Sequence, residues 1–232
     1  MNILTTISTL GLALSISAAA NGAPITGSLE ANQLQTTDRW NNITPTVEWQ
    51  ITDNQDGQTW NYAYTFIGFD GRAIPTISHF ILQLSEGAPA EDFTSFTSSG
   101  AGFDGNNFTD FRLFNQGQPS DPNLQSNVYG VKIDLQNTGD NFTIAFDANR
   151  LPMWGDIHIK GGQSEAWNQD FAVEVANLHD YFADHALDAT GNELAKILVP
   201  NSIVPEPGTL ALLGIGGFTL LIRRRAAASP AQ

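Results

Sequence analysis

Between Val47 and Phe66 the chain alternates apolar and polar residues twice, with a polar turn in the middle. Val47, Trp49 and Ile51 form the first set, and Trp60, Tyr62, Tyr64 and Phe66 the second. An α-helix would spread these side chains around its whole circumference, whereas an extended strand puts each set on one face. The Asp53-Asn54-Gln55-Asp56-Gly57 segment between them supplies turn residues, so the stretch reads as a β-hairpin. With Ile43 at its start, the first run predicts a strand over 43–51, and the second predicts one over 60–66. Further strands are predicted at 77–84, 128–135, 141–147, 156–160, 170–175 and 194–199. Short strands in this number predict an all-β fold, a two-sheet antiparallel sandwich with jelly-roll-like character. A helix over 177–189 is the one candidate interruption, with Leu178, Tyr181, Phe182 and His185 at helical spacing. The long Gly/Ser/Asn-rich connection 85–127 carries phenylalanines that are expected to pin it to the sandwich.

The two ends are built differently. Ile3 to Ala20 is a run of apolar and small residues, with Ala18 and Ala20 in an A-x-A cleavage pattern. Residues 1–22 therefore read as a signal peptide. No Lys or Arg precedes Arg39, so the basic start of such a signal is expected upstream of Met1. At the other end, Val204-Pro205-Glu206-Pro207 leads into 15 uncharged residues, Gly208–Ile222, followed by Arg223-Arg224-Arg225. As a helix this apolar run reaches roughly 22 Å, short of the ~30 Å hydrocarbon core. The arginines after it hold that end on the cytoplasmic side while the signal sends the body across. Pro205 and Pro207 keep the preceding strip extended, as a processing protease requires.

This tail resembles the PEP-CTERM sorting domain of Gram-negative bacteria, on Val204-Pro205-Glu206-Pro207, on the Gly-rich apolar segment with Leu212-Leu213-Gly214, and on the arginine cluster Arg223, Arg224 and Arg225. The resemblance implies recognition by an exosortase-type sorting protease, passage through the inner membrane, and delivery to the cell surface or extracellular matrix. The segments Ile77–Leu82, Val128–Asp134, Trp154–Gly162 and Ile197–Pro200 are similar to those of uncharacterised PEP-CTERM proteins, which implies no activity. The expected organisation is a signal peptide at 1–22, a β-sandwich domain at 23–203 and a sorting tail at 204–232, the sandwich being flanked by N-terminal signal and C-terminal hydrophobic helices.

The folded part is strongly acidic. From Asn21 to Val204 there are seven basic and 23 acidic residues, a net charge of −16. Such a surface repels phosphate backbones, which excludes nucleic acid as a partner. With no cysteine, neither disulfides nor thiol chemistry is available. No HExxH pair, G-x-S-x-G elbow or phosphate loop is present, so no catalytic residue, no metal ligand set and no cofactor is assigned, and the protein is expected not to be an enzyme. The acidic turns, Asp53–Gly57 among them, leave a structural Ca²⁺ open, although none has the spacing of an EF-hand loop.

The candidate glycan-binding residues are Trp40, Trp154 and Trp167, which fall in predicted turns beside Asp38, Asn41, Asp156 and Asn168. Exposed rings there would stack on sugars; the alternative is that they cap the ends of the core. Three functional readings follow. The first is a non-catalytic surface or matrix protein associated with envelope, biofilm or exopolysaccharide. The second is a carbohydrate-binding module, and the third is a secreted glycan hydrolase, which would need two close carboxylates in a cleft.

Overall fold

The computed structural model describes residues 23–56, 58–69, 77–100, 108–117, 124–136 and 141–203. The first half holds β1 (Ile25–Leu29), β2 (Leu34–Thr36), β3 (Thr46–Asp53), β4 (Trp60–Ile67), β5 (His79–Gln83), β6 (Phe93–Ser99) and β7 (Phe108–Phe114). The second half holds β8 (Val128–Asp134), β9 (Asn141–Ala148), β10 (Arg150–Gly155), β11 (Ile157–Gly161), β12 (Ser164–Asn168), β13 (Ala186–Leu187), β14 (Glu193–Leu194) and β15 (Ile197–Ile203). Between these strands run only short 3₁₀ turns among the described residues, no α-helix. The protein is an antiparallel β-sandwich. One sheet has the order β1-β3-β4-β9-β6 and the other β2-β12-β11-β5-β8-β7. Two ribbons, β10–β15 and β13–β14, complete it.

The hairpin read from the alternation is present. In β3 and β4, Val47, Trp49, Ile51, Tyr62, Tyr64 and Phe66 are buried, while Glu48 and Gln50 between them are exposed. The turn is closed by its own carboxylates: Asp53 Oδ1 accepts from the Gln55 amide at 2.8 Å, and Asp56 accepts from the Gln58 and Thr59 amides at 2.8 and 2.7 Å. β9 pairs with β4 and repeats the pattern, so Phe142 stacks on Phe66 with centroids 4.8 Å apart, and Phe146 stacks on Tyr62 at 5.7 Å. Aromatic pairs of this kind add to the area term that drives burial.

The middle of the six-stranded sheet is buried on both faces, in β5 and β11 almost throughout and in β12 along its whole length. A second apolar cluster, Ile81, Phe114, Leu124 and Val128, lies apart from the main core. The main core runs from Leu29 to Val199 and takes in both sheets and the β10–β15 ribbon. That ribbon is tied to β4 by two buried hydroxyls: Tyr62 donates to Arg150 O at 2.7 Å and Tyr64 to Leu198 O at 2.8 Å.

Two expected elements are absent. The strand expected at 170–175 is a turn: Ala172 adopts a φ of +63° and donates its amide to Asp156 Oδ2 at 2.9 Å, while Asp170 takes the Ala195 amide. The helix expected over 177–189 is a looped segment ending in β13. Asn177 Nδ2 donates to His185 O at 3.0 Å and its Oδ1 accepts from Leu187 N at 2.7 Å, so one side chain closes the loop that a helical ladder would otherwise occupy. The expected signal and tail helices lie outside the described residues, and no helix among the described residues is long and apolar enough to cross a membrane.

Candidate functional site

Three tryptophans read from the sequence as turn residues are instead part of the interior. Trp40 is 0% exposed and lies edge-on to Phe69 at 5.2 Å. The 3₁₀ turn Asp38–Asn42 folds it inward, and the chain just before that turn is fastened to β12 through Thr37 N to Glu165 O and Glu165 N to Thr37 Oγ1. Trp154 is 4% exposed, edge-on to Trp49, with its Nε1 donating to Asp180 O at 3.1 Å. Trp167 is 6% exposed and stacks parallel to the His158 ring. Their neighbours are interior as well: Asp156 and Asn168 are buried and bonded to each other at 2.7 Å. None of the three rings presents a face to solvent, so they are not a sugar platform.

The buried polar groups form a network that sequence reading did not single out. Lys196 Nζ lies 2.6 Å from Asp156 Oδ1, and both residues are almost fully buried. Asn168 donates to that same oxygen and to Ala195 O. Nearby on β11 and β12, Glu165 lies 2.9 Å from Lys160 Nζ and 3.4 Å from His158 Nε2. Every buried carboxylate here is paired, as burial requires. Among the described residues no group of three His, Asp or Glu is placed to hold a metal.

This pairing sets a pH dependence. Burial pushes the Glu165 carboxyl up, but His158 and the Lys160 ammonium more than offset it, and the group stays below the usual 4.5. Asp147 behaves alike: burial raises it, and hydrogen bonds from Asn61, Asn54 and Ser95 bring it below 3.8. Because the folded values lie below the unfolded ones, the unfolded chain binds more protons on acidification. The stabilisation is complete above about pH 5 and drains away as the pH falls through 4.5 and lower. A thermal melting series from neutral pH downward should be flat at first and then fall; a midpoint that climbs on acidification would contradict the assignment.

The accessible chemistry lies on the outer face of the five-stranded sheet. There, cross-strand register lines up Ser28, Glu48, Thr65 and Thr143 in one row and Thr26, Gln50, Ala63 and Ala145 in the next. Hydroxyl, amide and carboxylate groups thus surround the short side chain of Ala63, and the result is an open trough of 460 Å³. At the β1 side its wall is the Gly27 backbone and the edge of Trp49, which occupies the space a side chain at 27 would need. Thr65 and Thr143 hydroxyls bond to each other at 2.9 Å in the trough.

At the far end of the chain, β15 stops at Ile203, one residue before Val204. The sorting residues Val204, Pro205, Glu206, Pro207, Arg223, Arg224 and Arg225 lie outside the described residues. A family profile described as the PEP-CTERM protein-sorting motif matches residues 204–225. The chain carries a PEP-CTERM sorting motif. It is accordingly an exported protein, handed through the membrane to exosortase processing and the cell surface, and the PEP-CTERM motif follows the last strand of the sandwich directly. No curated protein matches the chain. Among solved structures, the KRT10-binding region domain of the pneumococcal serine rich repeat protein PsrP is similar at 10% identity, over 63% of this chain and 100% of that one, with a TM-score of 0.20. A superposition that poor transfers neither fold nor binding.

Proposed function

We propose that the sandwich is a non-catalytic display domain of the cell surface or extracellular matrix, and that it associates with extracellular polysaccharide through the trough of the five-stranded sheet. The observation that carries this is the trough itself. A face of Thr, Ser, Gln and Glu side chains beside Ala63 and the Trp49 edge offers donors and acceptors interleaved with apolar surface, a mixture that matches the hydroxyl and C–H faces of a sugar polymer. The PEP-CTERM motif supports the setting, since it directs the domain to where such polymers are found. The resulting partners are the exosortase-type protease in transit and polysaccharide afterwards.

The test is retention on polysaccharide extracted from the producing cells. Wild-type protein recovered from the cell exterior is expected to be retained. Ala63→Arg, which puts a long side chain into the trough at an outward position, is expected to be released while its melting temperature is unchanged. Wild-type protein that passes through every polysaccharide column would remove the reading.

A further inference from the structure

The largest exposed apolar side chain of the described residues is Phe182, 73% exposed on the turn after Asp180. It does not stand alone. Its ring lies 4.5 Å from that of Tyr181, and Tyr181 meets Trp60 edge-on at 5.7 Å. Trp60 opens β4 opposite Asp53, the last residue of β3, in the hairpin register. That register sets Asp53 directly across the hairpin from Trp60, on the same side of the two strands, and the Tyr181 phenol is raised by burial first and by the Asp53 charge second. Asp180 and Asp184 flank the aromatic pair in sequence, and both are exposed. Three rings of graded exposure therefore share the β3–β4 end of the sandwich with acidic groups.

Exposed aromatic surface costs solvation and is uncommon without a use. Here the charges around it choose the occupant. A ring face accepts the C–H face of a sugar or a cation; a carboxylate beside it favours an ammonium and rejects an anion. The domain's net charge of −16 repels uronic-acid polymers in the same way. We propose that Trp60, Tyr181, Phe182 and Asp53 form a binding site for a polysaccharide bearing free amino groups, a partly deacetylated hexosamine polymer, with the rings taking the pyranose and Asp53 the ammonium. This rests on the polysaccharide reading above and adds a second, chemically selective contact to it.

The test titrates the full chain, recovered from the cell exterior, with a soluble glucosamine hexamer, its N-acetylated counterpart and an oligogalacturonate. Calorimetry and tryptophan fluorescence are the readouts, at a pH where the amines are charged. The glucosamine hexamer should bind best and the uronate not at all. Phe182→Ala should weaken binding about tenfold, a loss of the size such contacts give. Asp53→Asn, which keeps an oxygen for the Gln55 amide, should erase the preference for the free amine. Leu113→Ala, exposed on the other sheet, should change nothing. Wild-type binding by both Phe182→Ala and Asp53→Asn, or preference for the uronate, overturns the site. If the three oligomers fail while Ala63-dependent retention on cellular polysaccharide persists, only this inference falls; if retention fails too, both do.

Discussion

Replacing Lys196 with methionine should destabilise the domain by about 3–5 kcal/mol, the cost of removing one member of a buried ion pair. The ammonium sits 2.6 Å from Asp156, both residues almost fully buried, and among the described residues no other cation pairs with that carboxylate. Without it, Asp156 retains only the Asn168 amide and the Ala172 N–H, and a buried carboxylate served by neutral donors alone is expensive. Urea denaturation would show a lower midpoint with an unchanged slope, since the surface exposed on unfolding stays the same. A loss below 1 kcal/mol would mean that water or a rearranged side chain takes over the charge, and the network would have to be redrawn.

The second large effect is expected at Arg150. Its Nε lies 2.8 Å from Asp92 Oδ2, and its Nη1 donates to Ser85 Oγ at 2.9 Å and to Asn201 O at 2.7 Å. Arg150→Met keeps much of the apolar stem but removes every one of these donors, and should cost about 3 kcal/mol, near the lower end for a buried pair because Asp92 retains some solvent. The damage should be local as well as global. Amides of β15 around Asn201 should exchange faster than those of β4 and β9, because Asn201 O is held both by Arg150 of the paired strand and by Ser85 from outside the ribbon. Uniform exchange across all strands would count against the clamp.

Much of the architecture was legible wherever one face of a strand is wet. In β3, β4, β8 and β9 polar residues alternate with apolar ones, and the expected strands match closely. β12 and β10 escaped notice for the opposite reason. Buried almost throughout, Ser164–Asn168 and Arg150–Gly155 carry charged and amide side chains satisfied internally, so neither alternation nor a plain apolar run marks them. β6, a run of Thr and Ser between two phenylalanines, has too little apolar contrast to stand out. Helical spacing at 177–189 with Gly191 beyond it predicts a helix, but the Asn177 side chain bonds the backbone at His185 and Leu187 and closes a loop instead.

The functional surface was harder to read, because it depends on register between strands far apart in sequence. Thr26, Gln50 and Ala63 meet only because β1 and β4 flank β3 in a particular alignment. The tryptophans misled through a simple rule. A turn is usually at the surface, yet Trp40 sits on a turn whose side chain folds under the sheet. Trp60, at the end of the core-facing row, packs against the main core at its rim and also meets Tyr181 edge-on.

The clamp on β15 has a mechanical consequence. Any tension applied through the sorting tail enters the sandwich at Ile203, and there the first rung of the antiparallel ribbon pairs Ile203 with Arg150 itself. A pull would have to peel the ribbon rung by rung rather than shear it, and peeling is the weaker geometry. The guanidinium, crossing from that rung to Asn201 and out to Asp92, acts as a rivet at the place where peeling would begin.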